Sequence, residues 1–242
     1  MAPSVGEIIK CLGVCLYWKI KEHQAKEPKV FIDIFEEDKH PLGILHKPNE
    51  FDGIPSIKEI QDFIKSIYDA ENLSAECAVM ALIFIERLIA LTNISLQASN
   101  WRRVIFGAVI ISSKVWEDTA VWNSDFRSVF PQLKLNDLSK LEREYLRLLD
   151  FTVAIKSSIY AKYYFDLRTV AEINDINFPI EPLTKTKEQE IEAKSHGLER
   201  KVKQFNLHRS HSLESYVLKD PTVGMEDIKL GELQIAAEKE KH

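Results

Sequence analysis

Two charged residues in this chain stand where the surrounding pattern is apolar. Lys114 follows the small pair Ser112 and Ser113 at the end of an apolar run and precedes Trp116, Glu117 and Asp118; Glu142 lies one turn before Leu146, on the flank of a second apolar stripe. A lysine at a helix C-terminus suits the macrodipole, and a lone glutamate on a helix flank is ordinarily solvated. By residue type alone the two specify electrostatics and no reaction. The other chemistry-bearing residues do not converge. His40 and His46 fall in a loop and His208 and His211 in a polar tail, so no metal site is expected. There is no glycine-rich phosphate loop, GxSxG elbow or HExxH helix, and eight glycines give little material for one. No catalytic residue and no cofactor are assigned. In the tail, HRSHSLES places Arg209 three residues before Ser212 with Ser210 between, the RSxS core of a phosphoserine motif read by 14-3-3 adaptors.

Composition narrows the class. With 242 residues, 45 % of them hydrophobic, the chain can bury a substantial core. A formal net charge of -5 lacks the basic excess that neutralising phosphates requires, so nucleic acid is not the expected partner. Cys11, Cys15 and Cys77 match no zinc spacing and read as core thiols in a reducing compartment, cytoplasmic or nuclear. The longest apolar run, Val104 to Ile111, is far short of the ~20 residues of a membrane span. The opening MAPSV has no glycine at position 2 for a myristoyl group, so membrane association is expected only through a partner or an N-terminal extension not in this sequence.

The elements that must position Lys114 and Glu142 read as helices throughout. Ile8, Cys11, Leu12, Cys15 and Leu16 share one face of an N-terminal helix over Gly6 to Glu22. Glu27 to Leu45, with VFIDIF among prolines, reads as an extended connector. Pro55 and Ser56 start a helix to about Asp69, and Ser74 caps another to about Leu91 with Glu76 in its first turn. Asn100 is the expected cap of a helix to about Val115. It is apolar all round, as befits the centre of a bundle, and it holds its phase over some four turns, too long for a typical strand. A shorter helix spans Asn123 to Phe130, stopped by Pro131. Asn136 or Asp137 caps the next, to about Leu149. Ser157 or Ser158 opens a helix whose Tyr160, Tyr163, Tyr164 and Phe165 are expected to pack on the bundle. From about Thr184 a solvated helix and then a disordered tail are expected.

This order of helices resembles the five-helix cyclin box. FIERLIA at Phe84 to Ala90 is similar to the second-helix signature of cyclins, IISSKVWED at Ile110 to Asp118 to the end of their third helix, and LEREYLRLLDF at Leu141 to Phe151 to their fifth. Within the superfamily, DIFEEDKHPL, LSAECAV, SKVWEDTAVWNSDF and SSIYAKYYFDLR resemble the cyclin Y-like family, over about residues 6 to 180. The resemblance implies an all-α fold with the N-terminal helix and connector in 1–53, the box in 54–155, a packing helix in 156–182 and a polar helix and tail in 183–242. It implies a non-catalytic subunit that activates a cyclin-dependent kinase of the PCTAIRE/PFTAIRE group. Lys114 and Glu142 would bond to backbone at the kinase's mobile regulatory helix. Ile111, Val115, Leu146 and Phe151 would supply the apolar contact, with Trp116 beside them, and Glu117 would reach a kinase arginine. The first box helix departs from cell-cycle cyclins in lacking the arginine and tryptophan of their substrate-docking patch, with Lys58 and Phe63 in that neighbourhood, and no second box is expected in this sequence. The alternative function is a helical adaptor that uses the same box to bind a non-kinase partner.

Overall fold

A computed structural model describes residues 4–43, 53–178 and 184–209. Among the described residues there are seven α-helices and no strand: α1 (Val5–Ala25), α2 (Ile57–Glu71), α3 (Ala75–Thr92), α4 (Trp101–Trp116), α5 (Leu135–Leu148), α6 (Ser157–Ile173) and α7 (Lys185–Arg209). Short 3-10 turns occupy Asp33–Phe35 and Asp125–Ser128. The expected helix at 123–130 is therefore only a 3-10 turn. Asp125 turns back to accept from the Trp122 N–H (2.8 Å) at its start, and Pro131 has no N–H with which to continue it.

Helix α4 is the axis of the bundle. Every residue from Trp101 to Ser113 is buried, as a helix apolar around its whole circumference must be if it is to leave water. It packs mainly on α3 and then on α5. Gly107 sets the second approach: a Cβ there would stand 2.5 Å from the Tyr145 ring of α5, so only glycine admits that tyrosine. Two arginines are carried into the interior. The fully buried Arg103 donates to the Ile34 and His40 carbonyls (both 2.7 Å) and to Asp137 of α5 (2.8 Å), while His40 also contacts Asp137. One guanidinium thereby pins the connector and α5 to the central helix, and satisfies backbone that would otherwise be buried without partners.

Around this axis α1 lies on α2, α3 and α6. Ser4 with Glu7 and Ser56 with Glu59 form capping boxes at the starts of α1 and α2. Asn72 and Asn93, both left-handed, end α2 and α3. At the end of α1, His23 accepts from the Leu96 N–H (3.0 Å), and burial pushes its pKa down to about 4, which keeps the ring a neutral acceptor.

Three expected caps act otherwise. Ser74 makes no side-chain cap bond. Asn100 holds position before α4, but its side chain serves the connector and its own loop, donating to Glu36 (3.1 Å) and the Ser95 carbonyl (3.0 Å). Helix α5 begins after Lys134, because Asp137 is drawn inward by Arg103 and His40 instead of capping. In α6, Tyr160, Tyr163 and Tyr164 are buried, but Phe165 is 43 % exposed; one residue on from Tyr164 is a rotation of about 100°, away from the core. No described helix is long and apolar enough to cross a membrane.

Candidate functional site

The last turn of α4 sorts its residues by direction. Ser112 and Ser113 are fully buried, and their hydroxyls donate to the carbonyls three residues back (3.0 Å each). Lys114 projects outward across the α4–α5 seam. Its ammonium meets Glu142 at 2.7 Å, with side-chain exposures of 28 % and 20 %. The other carboxylate oxygen of Glu142 accepts from the Asn123 amide at 2.7 Å. The structure thus brings together the two residues that the sequence places 28 positions apart. It adds Asn123, which the sequence offered only as the start of a short helix.

Below this polar cluster Leu146, one turn further along α5, lines a groove of ≈ 770 Å³ with Phe151. The opposite wall is the connector's Ile32 and Ile34, and Lys140 and Arg143 stand among the residues around it. Asp150 and Phe151 both take positive φ (49° and 55°), a left-handed pair that reverses the chain after α5 and holds the Phe151 ring at the groove. For a phenylalanine that conformation is strained, and strain of this kind gathers at binding surfaces. Val115 is half-buried, and Ile111 is buried beneath the surface.

Glu117 and Trp116 point elsewhere. The Glu117 carboxylate turns toward the start of α3, where it accepts from the Ser74 N–H (2.9 Å) and the Cys77 thiol (3.0 Å). Burial opposes its charge, but the hydrogen bonds from Cys77 and the Ser74 backbone, with the Lys194 ammonium, hold it below the usual glutamate range. The same pair pushes the Cys77 thiol up, through burial first and then the carboxylate. Glu117 therefore supplies the anionic acceptor that the Ser74 side chain does not provide at the start of α3, and Glu76, in the first turn as expected, also pairs with Lys187 (2.7 Å).

Trp116 is only 4 % exposed because α7 lies over it. The ammonium groups of Lys187 and Lys194 stand 4.8 and 4.1 Å from its ring centre. Lys194 also donates to the Trp116 carbonyl and to Asp118 (2.9 Å). On the same face Ile191 and Ser195 are buried, and Glu192 accepts from the Ser157 N–H at the start of α6 (3.1 Å). The segment expected to be a solvated helix is thus docked along one side, largely through cations and an indole. Arg209 is the last residue of α7, and Ser210 and Ser212 lie outside the described residues.

In a comparison with known families, residues 46–154 match the model described as Cyclin, N-terminal domain. The match takes in α2 to α5, with Lys114, Glu142 and the groove residues of α5, so this part of the chain is similar to the cyclin N-terminal domain.

Proposed function

We propose that this chain is a cyclin of the cyclin Y-like kind, a non-catalytic subunit that binds a cyclin-dependent kinase of the PCTAIRE/PFTAIRE type and activates it. The observation that carries this reading is the Lys114–Glu142 pair set beside the groove of Leu146 and Phe151. A partly exposed pair is worth ~0–1 kcal/mol, so parting it costs little. Once parted, the ammonium can donate to a carbonyl at the end of the kinase's regulatory helix and the carboxylate can accept from an N–H. Those bonds are shielded by the apolar contact at Leu146, Phe151 and Val115, the usual make-up of an interface hot spot. Holding that kinase helix inward completes the kinase's own Lys–Glu pair and magnesium site, so activation is a shift in the kinase's conformational population.

The test is co-purification of the full chain with a PCTAIRE-type kinase, followed by a phosphorylation assay. Absence of binding overturns the reading and favours the adaptor with a non-kinase partner, and binding without activation overturns the activator role. Two further assignments go with it: residence in the cytoplasm or nucleus, and phosphorylation of Ser212, with Arg209 and Ser210 in the recognised stretch, to recruit a 14-3-3 adaptor. Ser212→Ala is expected to abolish adaptor capture, and capture that survives phosphatase treatment rejects that assignment.

A further inference from the structure

We infer that Lys140 and Arg143 decide what the groove between α5 and the connector accepts: a segment of the kinase that presents an apolar side chain flanked by carboxylates, the carboxylates meeting these two cations; this rests on the reading of function above. The apolar lining of the groove is Ile32, Ile34, Leu146 and Phe151. Its charged lining is Asp33, Lys140, Arg143, Glu144 and Arg147, with His40 among them.

Those charges do not balance. Glu144 is held by Arg147 through both of its oxygens, and Asp33 by Lys39 (2.8 Å), so each carboxylate of the lining already has its cation. His40 is turned to Asp137, which also receives Arg103. Lys140 and Arg143 are exposed and have no carboxylate partner among the described residues; Arg143 donates to the Ser139 carbonyl of its own helix (3.2 Å). Three residues apart, they share a face of α5. Asp150, exposed after the end of α5, is not among the lining residues.

The walls are fixed before a partner arrives. Arg103 holds the connector by the Ile34 and His40 carbonyls, and the buried Phe35 stands edge-on to Tyr145 of α5, ring centres 5.6 Å apart. An occupant therefore meets a formed groove, and the ordering cost of binding is reduced accordingly.

Charge selects the class of occupant. Two unneutralised cations beside an apolar lining repel a basic segment and attract an acidic one, and an arginine can take a carboxylate with two parallel N–H donors. The source is a short acidic segment and not a polyanion. The whole chain carries a formal net charge of -5, which opposes approach to nucleic acid or an anionic bilayer and leaves this local excess to act at short range.

Association of the full chain with a PCTAIRE-type kinase, followed by surface plasmon resonance at low and high salt, tests this. The Lys140→Gln, Arg143→Gln variant is expected to associate roughly tenfold more slowly at low salt, with the gap closing at high salt. The Lys140→Glu, Arg143→Glu variant should be slower still, and neither should lower the melting temperature. Arg127→Gln, Lys134→Gln removes two exposed cations outside the groove lining and is expected to leave the rate within about twofold of wild type. Equal rates for the wild type and both Lys140, Arg143 variants overturn the inference while leaving the proposed function standing, since the kinase is still bound. It is also overturned if the Arg127, Lys134 variant slows association as much, because general attraction then suffices, or if Lys140 and Arg143 matter for capture on phosphatidylserine vesicles and not for the kinase. If the wild-type chain binds no kinase at either salt, the functional reading fails and takes this one with it.

Discussion

Removing the Glu117 carboxylate should cost folding stability and leave the partner surface intact, the reverse of what the residue's place beside Lys114 and Trp116 suggests. Its carboxylate accepts from the Ser74 N–H and the Cys77 thiol at the start of α3. Loss of an N-terminal cap costs ~0.5–2 kcal/mol, and hydrogen bonds to a charged acceptor lie at the upper end of that range. Glu117→Ala is therefore expected to lose about 1–2 kcal/mol, and Glu117→Gln, which keeps one acceptor, about half as much. For a chain of this size each kcal/mol corresponds to ~2–4 °C in Tm. The pH dependence has a definite sign. The folded-state pKa of Glu117 lies below its ordinary value of 4.5, so its contribution is present above that pH and is lost as pH falls through the lower, folded value. His23, depressed from 6.5 to about 4, also removes stability as pH falls across that window, but it does so in wild type and variant alike. The difference between the two proteins isolates Glu117. Urea titrations at pH 7 and pH 4 should show a gap that narrows in acid. Equal stability of wild type and Glu117→Ala at pH 7, or a loss of kinase affinity without a loss of stability, would refute the capping role and return Glu117 to the interface.

Two other outcomes separate surface from scaffold. Lys114→Ala or Glu142→Ala should weaken kinase binding by ~2 kcal/mol, as truncating one member of an interfacial hydrogen-bonded charge pair does, while changing urea stability by less than ~1 kcal/mol; unaltered affinity in both variants sinks the site assignment. Lys194→Ala should loosen α7 by removing the contacts to the Trp116 ring, the Trp116 carbonyl and Asp118. The expected signs are faster proteolysis within 185–209 and a red shift of tryptophan emission, both enhanced by salt in the wild type; a protease-resistant α7 in the variant would contradict docking by charge.

The helices were legible because burial writes itself into the sequence as period. Ile8, Cys11, Leu12, Cys15 and Leu16 share a face of α1, and α4 is apolar around its circumference. Lys114 and Glu142 were legible only through resemblance, since nothing in their spacing says that two helices cross there. Contacts that carry no period were hidden. The inward face of α7 is built from Lys187, Ile191, Lys194 and Ser195, which looks solvated when read as hydropathy, so the burial of Trp116 under it left no trace. Asp137 and Asn100 have the right types and positions for capping, yet long-range partners, Arg103 for one and Glu36 for the other, compete successfully for their side chains. The contacts of Glu117 were hidden for the same reason: the start of α3 draws its carboxylate to the Ser74 N–H and the Cys77 thiol.

The central claim is that the α4–α5 seam engages a kinase and activates it. Its most direct measurement is the activity of a purified PCTAIRE-type kinase titrated with the full chain and, in parallel, with the Lys114→Ala, Glu142→Ala double variant. A saturable rise in phosphorylation with the wild-type chain, shifted to much higher concentration by the double substitution, is the expected result. A kinase whose activity is the same with either protein, or that forms no complex with the wild-type chain, would contradict it.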